Sequence, residues 1–238
     1  MKPLIGDTVD IVIKVLRFDS ESNDLDAMTR RLLREVNAWH RLHSAYVLPF
    51  YGLCYGIGFM DVRDVLPGLV SPFCKKGTVM AYMDNMKNAD NLPALKLAMA
   101  TGIAKGLQYL HSTDINIIHG DLKPANVLIS EDGRPLLADF GRSKILDVKG
   151  FTHSLQANST AYTAPEILWS GVDDVVNEVD RRSDMYSLGM TMWAIYAGKP
   201  PFEGKHPFQI ALSVSKYKKG PHMPDHFERG VRDLIQGC

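Results

Sequence analysis

An α+β fold of two unequal lobes, a small β-rich one followed by a larger and mainly helical one, is predicted by three features of this sequence. Residues 9 to 73 alternate strand-like runs with one amphipathic helical stretch. Beyond Lys75-Lys76-Gly77 the apolar periodicity is instead that of long helices. A length of 238 residues accommodates one core or two closely packed lobes rather than several independent domains. The boundary is placed at the Lys75–Gly77 link, with residues 1–74 forming the small lobe and 75–238 the large one.

Taken in order, Val9 to Arg17 is a β-branched run predicted as a buried strand, with Lys14 inside it, and the polar stretch Asp19 to Asp26 has the composition of a loop. From Leu25 to Leu42 the residues Leu32, Leu33, Val36, Trp39 and Leu42 recur at helical spacing with Arg and Glu on the other faces, so this amphipathic helix carries Glu35. Val47 to Tyr55 and Val65 to Phe73 read as strands, and Lys75-Lys76-Gly77-Thr78 as a turn-like link. Leu92 to His111 has a long helical period. A second apolar helix spans Asp180 to Ala197 and ends near Gly198, with Pro200-Pro201 after it.

Lys plus Arg equals Asp plus Glu at 27 each and 45% of residues are hydrophobic, the balance of an ordinary soluble globular chain. That balance lacks the basic field that nucleic acid or an anionic membrane requires, so neither is expected as a partner. No stretch reaches the roughly 18 apolar residues of a membrane span, and Met1 to Asp7 holds no apolar signal core. A cytoplasmic or nuclear enzyme is expected. Cys54, Cys74 and Cys238 are odd in number and far apart, which suits reduced thiols rather than a disulfide or zinc framework. His40, His43, His111 and His153 lack metal-ligand spacing and read as surface or satisfied side chains. Trp39 and the Met residues from Met185 to Met192 read as core, and Lys216, Lys218 and Lys219 as a solvated loop.

The chemistry is concentrated in His119-Gly120-Asp121-Leu122-Lys123-Pro124-Ala125-Asn126, a loop with an acid, a base and an amide just before the apolar run Val127-Leu128-Ile129. Asp139-Phe140-Gly141 follows the strand-like Pro135-Leu136-Leu137-Ala138, and Asp132-Gly133 supplies a turn that returns the second carboxylate beside the first. An amide oxygen with a carboxylate suits a hard divalent cation such as Mg2+, which makes Asn126 and Asp139 the candidate metal ligands.

These two motifs resemble the H-R-D-L-x-x-x-N and D-F-G signatures of eukaryotic protein kinases. Ile11-Val12-Ile13-Lys14 is similar to the family's V-A-I-K strand, Glu35 lies where its helix supplies the lysine's partner, and Ala164-Pro165-Glu166 matches A-P-E. Residues 9 to 238 fit in the family's order. The resemblance implies the two-lobed kinase fold, Mg2+ and ATP as cofactors, and a protein substrate. It makes Asp121 the acceptor of the substrate proton and Lys123 the cation that offsets charge on the transferred phosphate. Lys14 would hold the α- and β-phosphates with Glu35 fixing its geometry. Ser71 falls at the gatekeeper position, the backbone of Pro72 and Cys74 at the adenine edge, and Val12 and Leu128 on the two faces of the base. Pro72 can accept there but not donate. Asp184 resembles the buried aspartate that anchors the catalytic loop.

The wording Leu122-Lys123-Pro124-Ala125-Asn126 is similar to that of serine/threonine kinases, and the wider idiom resembles the tyrosine-kinase-like branch with its many fungal members. Gly120 departs from the pattern by replacing the arginine that pairs with a phosphorylated activation loop, so activity independent of loop phosphorylation is expected. Ser154, Ser159, Thr160 and Thr163 read as solvated or capping hydroxyls, with Ser159 a candidate to touch Asp121. Only thirteen residues precede Lys14 and none form a G-x-G-x-x-G loop, while Gly52, Gly56 and Gly58 read as a turn between strands. Arg232 to Cys238 resembles the start of a late helix whose continuation would supply the partner of Glu166. The resemblance therefore implies truncation at both ends, and the rival to a protein serine/threonine kinase is a pseudokinase or scaffold with little phosphotransfer.

Overall fold

A computed structural model describes residues 9–16, 25–56, 66–145, 157–168 and 179–238. The segment Met1 to Asp7, most of the loop from Asp19, and Gly58, Val65, His153 and Ser154 lie outside the described residues.

The small lobe is built on an antiparallel sheet in which β1 (Ile11–Lys14) and β2 (Gly52–Cys54) flank β3 (Gly68–Pro72). Central β3 is the most buried, with Leu69 fully inside. Among the described residues β1 lies at the edge; it is shorter than the apolar run that encodes it and is not the buried strand expected, since Ile11 is 51% and Val12 39% exposed. A strand with one hydrogen-bonded neighbour buries less than its hydrophobicity suggests. The run from Val47 is also mostly not a strand. Pro49 has no N–H for a ladder, and Val47 makes only one isolated bridge, to Leu137, before β2 begins.

Helix α1 (Leu25–Trp39) places Leu32, Glu35, Ala38 and Trp39 on its covered face. Leu33, one residue round from Leu32, is 53% exposed and not part of that face as the spacing had suggested. After β3 the chain turns at Gly77, whose φ of +72° glycine adopts freely, and the Gly77 N–H donates to Cys74 O at 2.9 Å. Thr78 then caps α2 (Val79–Asn85) by accepting from the Ala81 N–H. This short helix follows directly on the turn-like link expected at Lys75–Thr78 and carries no signal long enough to be read from the sequence.

In the large lobe, α3 (Leu92–Leu110) packs on the hairpin of β5 (Val127–Ile129) and β6 (Pro135–Leu137), which follows the short β4 (Ile117–Ile118). Gly106 makes this contact close, because a Cβ there would lie 2.9 Å from Leu137 Cδ1 and 3.0 Å from Tyr46 O. The strand β7 (Lys144–Ile145) pairs back with β4. After the short α4 (Pro165–Leu168) comes α5 (Arg181–Ala197), started by a reciprocal capping box between Asp180 and Ser183 and ended by Gly198 at φ +73°. Its residues Leu188, Met190, Met192, Trp193 and Ile195 are core, whereas Met185 is 37% exposed and does not belong to it. The helices α6 (Pro207–Ala211) and α7 (Arg229–Gln236) complete the lobe. Lys216 ends a π-helical turn, Leu212–Lys216, rather than lying in a loop.

Candidate active site

Three groups on buried Asp184 set the backbone of the loop after β4. Its Oδ2 accepts from the His119 N–H at 2.8 Å and meets His111 Nε2 at 2.8 Å, while its Oδ1 accepts from the Gly120 N–H at 2.9 Å. Charge-assisted bonds of this kind are strong in a buried setting. His111 is thereby satisfied by a carboxylate, and Asp184 takes the anchoring place assigned to it. The ring of His119 is fully buried, meets Ala138 O through Nε2 at 3.1 Å and lies 5.4 Å from the ring of Phe140. It packs under Phe140, as expected.

The same loop then presents Asp121. Its Oδ2 accepts from Lys123 Nζ at 2.8 Å and from Asn126 Nδ2 at 3.2 Å, and Asn126 Nδ2 also donates to Asp121 O at 2.8 Å. Pro124–Asn126 forms a single 3-10 turn that brings the amide back to the acid. Among the described residues Ser159 makes no hydrogen bond to Asp121. It accepts from Lys123 Nζ at 2.8 Å, and Thr163 Oγ1 donates to Ser159 O at 2.9 Å. Ser159 and Thr160 are buried, so neither is the solvated hydroxyl expected of a loop.

The β5–β6 hairpin brings Asp139 alongside. Val127 pairs with Leu137, Leu128 with Leu136 and Ile129 with Pro135, the turn uses Gly133 at φ +85°, and Ser130 Oγ bonds Asp132. One step past the ladder, the Ala138 N–H donates to Asn126 O at 2.9 Å, which sets the two candidate metal ligands at the same end of the hairpin, just before β5 and just after β6. Asp139 itself has φ +64°, a left-handed conformation that costs a non-glycine residue on the order of 1 kcal/mol and is held by what surrounds it. Phe140 is fully buried, 5.9 Å from the Trp39 ring, and Trp39 Nε1 donates to Leu48 O at 2.6 Å. Packing thus ties α1 to the segment that carries Asp139.

That packing lets Glu35, on α1, and Asp139 meet the same lysine from β1. Lys14 Nζ lies 2.6 Å from Glu35 Oε1 and 2.6 Å from Asp139 Oδ1. Glu35 is fully buried, while the Asp139 side chain is 41% exposed. Burial pulls the Lys14 amine down, yet the charges of Glu35 and Asp139 outweigh it and hold the amine above its ordinary value. Burial pushes the Glu35 carboxyl above the ordinary range against the opposing pull of Lys14. Burial also acts to raise Asp139, but Lys14 and the Gly141 N–H overcome it and hold that carboxyl low.

The residues assigned to the adenine side lie on β1, on β3 and the residues just after it, and on β5. Val12 pairs with Ser71, which is buried, and Ile11 with Pro72. Cys74 is half-buried, with burial raising its thiol, and the three cysteines are free. Leu128 bridges Thr78 on the far side of the link. Val12 and Leu128 therefore stand one on each lobe.

Three features depart from the sequence reading or add to it. Glu166, whose usual partner the late helix would supply, is exposed and has an interaction partner within the chain. Arg142 was not singled out, yet its Nη1 lies 3.5 Å from Asp121 Oδ1. No periodicity marks it, although a cation directly after Asp139-Phe140-Gly141 was visible. Gly52 opens β2 at φ +129° rather than lying in a turn.

A family model described as protein kinase domain matches residues 6–238. The serine/threonine-protein kinase STY46 of Arabidopsis thaliana is 29% identical over 229 residues, covering 95% of this chain and 36% of that protein. The probable serine/threonine-protein kinase drkC of Dictyostelium discoideum is 27% identical over 232 residues, 96% of this chain and 29% of that protein. The serine/threonine-protein kinase CTR1 of Arabidopsis thaliana is 26% identical over 230 residues, 96% of this chain and 26% of that protein. The chain spans about a third of the length of these relatives. With nearly all of its residues matched by the family model, the chain belongs to the protein kinase domain family.

Proposed function

We propose that this chain is a Mg2+- and ATP-dependent protein kinase that phosphorylates serine or threonine hydroxyls. The observation that carries the reading is the joint placement of two polar clusters, Lys14 with Glu35 and Asp139, and Asp121 with Lys123 and Asn126. Phosphoryl transfer asks chiefly for positioning and charge neutralisation, and these six residues supply both. The serine/threonine preference rests on Lys123, two residues after Asp121, and on the names of the similar proteins.

The residues fit the cation and the nucleotide. Asn126 spends its amide nitrogen on Asp121, which leaves Oδ1 as the atom able to meet a cation. Asp139 is ionised, partly open to solvent, and uses one oxygen on Lys14. Among the described residues no three His, Cys, Asp or Glu side chains form a metal cage, and a cation that arrives with phosphates needs only one or two protein ligands. When bound, Mg2+ neutralises charge on the phosphate oxygens. Lys14 has three N–H donors, two engaged by carboxylates, and offers the third to a phosphate oxygen. Asp121 takes the proton of the acceptor hydroxyl as its oxygen bonds to phosphorus and ADP departs. Lys123 steadies Asp121 and offsets charge on the group in transfer.

The test is Mg-ATP turnover on a basic protein substrate, followed by identification of the phosphorylated amino acid, for this chain and its Asp139→Asn variant. Phosphoserine or phosphothreonine is expected, falling by about 100-fold or more in the variant. Equal transfer by both proteins would sink the assignment of Asp139, and no transfer by either would sink the reading.

A further inference from the structure

Gly120 gives the loop no side chain where the resemblance expects an arginine, and its φ of +74° suits glycine. A guanidinium nevertheless reaches the loop from another element. Arg142, immediately after Gly141, brings Nη1 to 3.5 Å from Asp121 Oδ1, and the two side chains are only 16% and 7% exposed. In such shielded surroundings a charge acts more strongly than at the surface.

The cations divide the carboxylate between them. Lys123 and Asn126 hold Oδ2, at 2.8 and 3.2 Å, and Arg142 faces Oδ1. Rotation of the Asp121 carboxylate would loosen contacts on both oxygens together. The Arg142 contact is longer than the about 2.8 Å of a good charge-assisted bond. Bonds at active sites are often long before substrate binds and tighten afterwards. Arg142 also lines, with Asp121, Ser159 and the apolar Leu122, Ile167 and Val179, a small cavity of mixed character of about 20 Å3, room for one water beside the acid.

We infer that Arg142 is a positioning residue for Asp121, holding Oδ1 toward the acceptor hydroxyl while Lys123 and Asn126 hold Oδ2. The inference rests on the reading of Asp121 as proton acceptor, and adds that the loop with glycine at position 120 takes its guanidinium from the segment that carries Asp139. A kinetic comparison of the wild type with Arg142→Ala, Arg142→Lys, Asp121→Asn and the Arg142→Ala/Asp121→Asn double variant tests it. Arg142→Ala should lower kcat by about 10- to 100-fold with nucleotide affinity within about twofold, and Arg142→Lys should recover most of the loss. In the Asp121→Asn background Arg142→Ala should have no further effect, because it acts through that carboxylate.

An unchanged or raised kcat in Arg142→Ala, a parallel loss of nucleotide affinity, or an additive double variant overturns the proposal and leaves the role of Asp121 standing. Full activity in Asp121→Asn instead overturns the reading of Asp121, and the proposal with it. Melting temperatures of the same proteins give a readout that needs no turnover. Non-additive shifts support the pair, and additive shifts count against it.

Discussion

Gly141 packs against Glu35 so closely that a Cβ built on it would lie 3.0 Å from Glu35 Oε2 and 3.3 Å from Asp139 Oδ1. Glu35 is fully buried and cannot swing into solvent, so α1 and the segment after Asp139 approach at this point only because position 141 has no side chain. The same approach lets one ammonium reach both carboxylates.

Gly141→Ala should therefore act on geometry more than on stability. The added methyl pushes Glu35 or Asp139 by a few tenths of an ångström and lengthens at least one Lys14 contact. Turnover is expected to drop by about 10- to 100-fold, the scale of small displacements in reacting groups, with a melting temperature close to that of the wild type. Steady-state kinetics beside a thermal melt decides. Near wild-type turnover would mean that the Lys14 contacts tolerate the shift.

Glu35 gives the site a pH dependence whose sign follows from its surroundings. Its carboxyl is held above the ordinary 4.5 chiefly by burial, so the folded chain binds that proton more readily than the unfolded chain. Ionised Glu35 thus opposes folding above its folded-state value, and the penalty fades as pH falls. Asp139 behaves oppositely. Held below 3.8 by Lys14 against the effect of burial, it contributes stability above 3.8 that is lost only as pH falls through its lower folded value. The raised amine of Lys14 contributes below 10.5 and loses that contribution as pH rises through its higher folded value. On acidification from neutrality Glu35 is the first of the three to change charge. Glu35→Gln removes this titration, so between pH 4.5 and pH 8 its stability relative to the wild type should first improve and then level off once Glu35 is ionised in the folded chain, while turnover falls at all pH values. Urea denaturation of both proteins across that interval checks the slope, and a flat or falling difference would contradict a raised Glu35.

How much of this was legible in the sequence depended on whether a contact is set by local pattern. The return of Asp139 beside the loop that carries Asp121 and Asn126 was legible because Asp132-Gly133 lies between two short apolar runs, a pattern that closes a hairpin. Glu35 was found on the covered face of α1 by helical spacing, although the same spacing mistakenly included Leu33. The contacts that were missed join residues through packing of separate segments. Lys123 and Ser159 are 36 positions apart, and Asp121 and Arg142 are 21 apart across the hairpin. Their meeting depends on side-chain reach in the assembled lobe, which periodicity does not encode. The exposure of β1 was missed for a related reason, since hydrophobic content reports strand propensity and not whether a strand lies at an edge.

Asp184 supports the most cooperative part of the site, because one buried carboxylate accepts from two backbone N–H groups and meets a histidine ring. Asp184→Ala deletes every acceptor at once and leaves the His119 and Gly120 N–H groups unpaired in the interior. Each such group costs roughly 1–3 kcal/mol, so a loss of about 3 kcal/mol or more is expected, or about 6–12 °C in melting temperature for a chain of this size. Asp184→Asn keeps one acceptor but sets an amide N–H against one of the donors, and it should recover little of the loss. Hydrogen exchange separates a local effect from a global one. The His119 and Gly120 amides should lose protection in Asp184→Asn well beyond the amides of α3, and turnover should fall because Asp121 follows these two residues directly in the chain. Uniform loss of protection would instead make Asp184 a general core residue, with no special hold on the loop.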